Sequence, residues 1–128
     1  MKYRVVQKVI PGTAGEDKKK MQYANPVNTG RLTIRELSKD IAARTSLSRG
    51  DIESVLISFV EGLPTYLKLG LSVQLGDFGT VRLSIKSEGV ELDNKFEATK
   101  IKGVRIIFTP SSELKNSMGD ITFEEERK

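Results

Sequence analysis

Few residue types in this chain could carry out chemistry. Its 128 residues include no cysteine and no histidine. That removes thiolate and imidazole nucleophiles, the commonest general base and the ordinary zinc ligands, and it rules out a disulfide framework. Carboxylate, lysine and tyrosine chemistry remains. Asp77-Phe78-Gly79 reproduces the magnesium-holding tripeptide of protein kinases, but the chain has neither a histidine for the accompanying catalytic loop nor a glycine-rich phosphate loop, so the match is coincidence. Glu36 and Asp40 stand one helical turn apart and could pair as acid and base. Glu36, however, is committed to a helix cap, and both lie beside Lys39 and Arg44, so a solvated face is the better account. The chain is read as a non-enzyme with no metal, no cofactor and no small-molecule substrate.

The chemistry left is that of cations facing a polyanion. The net charge is +4 and the pI about 9.4, and its placement is uneven. Residues 1 to 32 hold seven basic and two acidic side chains, residues 33 to 70 five of each, and residues 71 to 128 nine basic and ten acidic. Phosphate attraction follows such patches. The candidate contacts are the run Lys18, Lys19 and Lys20, and further along Arg82, Lys86, Lys95, Lys100 and Lys102. The last four are interleaved with Glu88, Glu91, Asp93 and Glu97, which makes that stretch neutral by count.

The elements that must position these residues can be read from periodicity and punctuation. Tyr3 to Ile10 is β-branched and alternates with polar residues, so it predicts a strand stopped by Pro11-Gly12. Lys18 to Ala24 predicts a basic return strand closed by Asn25-Pro26. Thr33 with Glu36, and Ser48 with Asp51, are capping patterns that open two helices. The first helix sets Ile34, Leu37 and Ile41 on one face. The second carries Ile52, Val55, Leu56, Phe59, Val60, Leu63 and Leu67, an apolar surface too wide for one small helix to cover and therefore suited to a dimer interface. Gly70 predicts a left-handed stop. Val73 and Leu75, then Val81, Leu83 and Ile85, predict strands joined through Gly76 and Gly79. Residues 87 to 103 are polar. Val104 to Phe108 predicts the returning strand, and Thr109-Pro110 predicts the cap and first position of a short final helix. Phe59, Phe78 and Phe108 are expected in the core, and Phe96 over a hairpin formed by the polar 87–103 segment itself.

The stretch GLSVQLGDFGTVRLSI, Gly70 to Ile85, preceded by two capped amphipathic helices, resembles the core of the bacterial HU and IHF histone-like proteins. Gly76, Phe78, Gly79 and Thr80 are similar to the family's Gly-Phe-Gly-Thr turn with Asp77 inserted. Phe108 followed by Leu114-Lys115 looks like its closing strand and helix. With an N-terminal extension, the chain resembles an HU-related branch of Bacteroides-type bacteria.

The resemblance implies an α+β, HU/IHF-like fold: a two-helix hairpin, a three-stranded antiparallel sheet with a protruding β-arm, and a short C-terminal helix, here with an additional N-terminal β-hairpin. The expected organisation is an extension over 1–31, an HU-like domain over 32–118 with its arm at about 86–103, and a flexible acidic tail over 119–128. The implied function is that of a nucleoid-associated, sequence-tolerant DNA-binding homodimer. The family's arms carry an Arg-Asn-Pro tip whose proline wedges between base pairs, whereas residues 84 to 103 contain neither proline nor arginine. The alternative is an HU-fold interaction or assembly module that does not bind DNA strongly. With no run of about eighteen apolar residues and no secretory signal pattern, a soluble, cytoplasmic protein is expected.

Overall fold

The computed structural model describes residues 1–10 and 19–127. Its elements are β1 (Lys2–Ile10), β2 (Lys19–Pro26), α1 (Ile34–Arg44), α2 (Arg49–Lys68), β3 (Val73–Gln74), β4 (Gly79–Ser87), β5 (Ile101–Pro110), α3 (Ser112–Asn116) and β6 (Glu124–Glu125), with a single 3-10 turn at Ala98–Lys100 ahead of β5. The strands form two three-stranded sheets, ordered β2-β1-β6 and β3-β4-β5. The first sheet belongs to a unit made of Met1–Leu32 and Asp120–Lys128, the second to a unit spanning Thr33–Gly119. No helix among the described residues is long and apolar enough to cross a membrane.

In the Thr33–Gly119 unit the helices begin at side-chain caps. Thr33 Oγ1 accepts from the Glu36 amide at 3.2 Å and Ser48 Oγ from the Asp51 amide at 3.1 Å, each satisfying a first-turn donor that has no partner inside the helix. Along α2, Ile52 and Leu67 are buried and Leu56 and Leu63 half-buried, which marks the stripe turned inward. α2 runs uninterrupted through Pro64. It ends at Gly70, whose φ of 83° is the left-handed conformation that a β-carbon disfavours. There the Gly70 amide donates to Leu67 O and the Leu71 amide to Tyr66 O, the paired bonds of a Schellman stop. Ser38 on α1 is fully buried and donates its hydroxyl to Ile34 O at 2.7 Å, so its polar atom is satisfied.

β4 is held between β3 and β5 in antiparallel register. At its start, Gly79 faces Pro110 across the ladder, with φ 144°. A β-carbon there would run into the Thr109 carbonyl, and would lie 2.8 Å from the Phe108 ring and 3.0 Å from the Pro110 Cα. Only glycine fits so close an approach. The preceding turn is tied down from the far end of β5, where the Ser111 amide donates to Phe78 O at 3.2 Å and its hydroxyl to Asp77 O. Ser111 also caps α3, accepting from the Leu114 amide at 3.1 Å.

Four expectations are corrected. Thr109 and Pro110 remain in β5, and the cap of α3 is Ser111; the cross-strand partners Thr80 and Gly79 hold them in the ladder. Paired strand stops at Ser87 and Ile101, so the segment between them is a loop rather than a long β-ribbon. Its Gly, Asp, Asn, Glu and Lys content disfavours strand. The C-terminal segment read as a free tail is partly paired. Glu124 and Glu125 lie parallel to Lys2 and Tyr3, and the Met1 ammonium donates to Thr122 O at 2.8 Å. Finally, Phe59, Phe78 and Phe108 all stand partly exposed, the last two packed on each other at a centroid distance of 4.8 Å.

Gly79→Ala is expected to cost about 3 kcal/mol, from a positive φ together with a clash against backbone that cannot retreat. Urea denaturation of the two proteins measures it as a lowered midpoint with an unchanged slope.

Candidate nucleic-acid interface

The β4–β5 ladder sorts its side chains by strand alternation. One face pairs apolar residues directly across the strands: Val81 with Phe108, Leu83 with Ile106 and Ile85 with Val104. The other face carries Arg82, Ser84 and Lys86 from β4, opposite Ile107, Arg105 and Gly103 of β5 respectively. Arg82 and Lys86 flank Ser84 along β4, so both are diagonal neighbours of Arg105. All three cations are exposed, and none forms an ion pair among the described residues. Arg105 was not singled out in the sequence. Its alternation was visible, but its place beside Arg82 and Lys86 depends on the antiparallel register.

The loop beyond the ladder treats its cations differently. A hydrogen bond from the Glu88 amide to Lys100 O, at 2.8 Å, closes its base, and the Asn94 amide turns back to Glu91 O at 2.9 Å. Glu88 lies between two of the candidate lysines, with its carboxylate 3.3 Å from Lys102 Nζ and 4.0 Å from Lys100 Nζ. These groups are about half exposed, so each pair contributes well under about 1 kcal/mol to stability. The pairing still places a carboxylate where a phosphate would have to sit. Lys95 is exposed and without an ion pair among the described residues, but its neighbours in the chain include Asp93 and Glu97. Leu92 projects fully into solvent, at 106% relative exposure, and Phe96 is half exposed rather than covering a hairpin.

In the other unit, the register of β1 against β2 divides the lysine run. Lys18 lies outside the described residues. Lys19 stands opposite Ile10 and Lys20 opposite Val9, so neighbouring lysines point to opposite faces of the sheet. The Lys19 face also carries Lys8, opposite Met21, and Tyr23, opposite Val6. Lys8 Nζ sits 5.5 Å from the centre of the Tyr23 ring, a cation–π contact worth about 0.5–1 kcal/mol at an exposed site. At the far end of the same strand, Arg4 reaches Glu126 at 3.4 Å.

The carboxylates considered for catalysis have other roles. Glu36 contacts the capping hydroxyl of Thr33 at 3.3 Å, and Asp40 pairs with Arg44 at 2.8 Å. Asp77 supplies the carbonyl that anchors Ser111. Among the described residues no cluster could hold a metal ion.

Two helices leading into a three-stranded antiparallel sheet and closed by a short helix define an α+β protein of HU-like architecture. The family described as an HU domain fused to wHTH, Ig, or glycine-rich motif, HU-HIG, matches residues 1–125, and the chain belongs to it. The chain is also similar in fold to a crystal structure of a candidate bacterial DNA-binding protein from Bacteroides vulgatus ATCC 8482, with a TM-score of 0.60 at 15% identity. That match covers 97% of this chain and 47% of the other, so the chain spans about half the length of that protein. No curated protein matches.

Proposed function

We propose that this chain is a nucleoid-associated, non-catalytic DNA-binding protein of the cytoplasm that acts as a homodimer and holds duplex mainly through phosphates. Membership of an HU family supports the class of function. The observation that carries the reading is the grouping of Arg82, Lys86 and Arg105 on one face of the β4–β5 ladder, each exposed and free of ion pairs among the described residues. Cations of this kind neutralise phosphates and release condensed counterions, which supplies affinity without reading base order. Lys95, Lys100 and Lys102 are secondary contacts, the last two in competition with Glu88.

Dimerisation is supported by what the single chain leaves uncovered. Among the described residues, Ile52, Leu67 and Val81 are the buried hydrophobic side chains. On α2, Val55, Phe59 and Tyr66 follow helical spacing along a stripe that faces solvent, with Val55 at 65% exposure. On the sheet, Val104 and Ile106 are 60% and 72% exposed. Full burial of an exposed Val, Ile or Phe side chain is worth about 1.5–3 kcal/mol, and covering the exposed part of these contributes a corresponding share. A second copy offering the same surfaces can cover them reciprocally.

The second reading, an assembly module with little affinity for DNA, is favoured by the acids Glu91, Asp93 and Glu97 around the loop tip.

Titration of a fluorescent mixed-sequence duplex at several salt concentrations separates the two readings. Binding that weakens steeply with salt supports the first, and no binding even at low salt supports the second. Replacing Arg82, Lys86 and Arg105 together by alanine removes six cations from a dimer and should flatten the log–log salt slope by about 5. Glu88→Gln should steepen the slope by about 0.9 for each lysine it releases onto a phosphate, with tighter binding at low salt. Val55→Glu places a charge in the exposed α2 stripe, and sedimentation equilibrium should then show dissociation to monomer with a parallel loss of thermal stability.

A further inference from the structure

We infer that the half of the β1–β2 strand pair beyond β6 is a second contact surface for duplex DNA, formed by Lys8, Lys19 and Tyr23. This rests on the DNA-binding function proposed above and adds a surface in a different compact unit from the β4–β5 ladder. β6 pairs only with Lys2 and Tyr3, so from Val6 to Ile10 the sheet is a ribbon of two strands. That is the width of β-structure that the major groove of B-form DNA admits.

Register and alternation assemble the surface. Lys8 faces Met21 and Ile10 faces Lys19, which makes Lys8 and Lys19 diagonal neighbours on one face, about 7–8 Å apart along the backbone. Among the described residues, the acids of this face are at its opposite end, where Glu124 stands beside Lys2 and Glu126 pairs with Arg4 at 3.4 Å. Neither Lys8 nor Lys19 forms an ion pair among the described residues. Tyr23 holds the Lys8 ammonium over its ring at 5.5 Å, so part of the ordering that a phosphate contact requires is already in place. The Tyr23 hydroxyl donates to Met21 Sδ at 3.9 Å, which fixes the ring beside Lys8. Val6, Ile10 and Met21 fill the gaps with apolar surface suited to sugar rather than to phosphate. A partner that is negatively charged, groove-shaped and lined by apolar sugar edges fits this face better than an acidic peptide would.

Lys20 provides an internal control, because it has the same charge, is adjacent in sequence and lies on the opposite face. The test uses the full chain and a fluorescently labelled mixed-sequence duplex, titrated across salt. The Lys8→Ala, Lys19→Ala double variant is expected to weaken binding about tenfold or more at low salt and to flatten the salt slope by about 0.9 for each lysine removed. Lys20→Ala should match the wild type, and Lys8→Arg with Lys19→Arg should retain binding, which excludes a folding defect as the cause. If the double alanine variant binds like wild type while the Arg82, Lys86 and Arg105 triple variant is impaired, this surface is refuted and the β4–β5 interface stands. Equal losses for Lys19→Ala and Lys20→Ala would refute it too, since bulk charge would then explain the effect. If the wild-type chain binds single-stranded RNA but no duplex, or no nucleic acid at all, both readings fall.

Discussion

The antiparallel register between β4 and β5 is the constraint on which the rest of the Thr33–Gly119 unit depends. Side chains alternate with period two, so a slip of one residue would turn Val81, Leu83 and Ile85 outward and bring Arg82 and Lys86 to the apolar side. Gly79 pins the register at one end, because the β5 backbone comes too close for any β-carbon. Ser111 reinforces it by bonding the turn carbonyls of Asp77 and Phe78 while it starts α3. A backbone restraint thus decides which face carries cations, at a distance from the cations themselves.

The same alternation creates the apolar face that a lone chain leaves open. Directly opposed pairs such as Leu83 with Ile106 and Ile85 with Val104 stabilise the ladder as cross-strand contacts. Their outer surfaces nonetheless remain in water, as does the Val55, Phe59 and Tyr66 stripe of α2. A unit of this size with so few buried hydrophobic side chains has little to set against its chain entropy. Burial by a second copy would complete the core and place two β4–β5 faces in one particle. In such a dimer, stability and the density of cations would be linked through the same strands.

How much was legible in the sequence follows from the range of the interactions involved. Local chemistry was readable. Thr33 and Ser48 cap helices because their oxygens reach amides within the same turn, and Gly70 ends α2 because only its own φ is at issue. Features set by pairing were less accessible. The local pattern made Thr109-Pro110 resemble a helix start, but a partner strand distant in sequence kept both residues extended. Glu124 and Glu125 looked like solvated tail because nothing near them shows that β1 offers an edge at Lys2 and Tyr3. The lysine run was visible as charge, while its division between two faces depended on the β1–β2 register. Arg105 was missed for the same reason.

The loop beyond β4 and β5 differs from the ladder beneath it in how its charges are placed. On the strand face, Arg82, Lys86 and Arg105 lie close to one another and form no ion pair among the described residues, so their potentials add over a Debye length of about 8–10 Å, with Glu88 two residues beyond Lys86 as the nearest acid in sequence. In the loop, Glu88 stands between Lys100 and Lys102, and Glu91, Asp93 and Glu97 surround Lys95. Within the same screening length the signs cancel there. On the proposed reading, a duplex would meet unpaired cations on the sheet and lysines paired with or flanked by acids on the loop. An exposed apolar tip at Leu92, flanked by Glu91 and Asp93, is also poorly suited to enter a groove lined by phosphates. On the reading proposed above, contact falls on the ladder rather than on the loop beyond it.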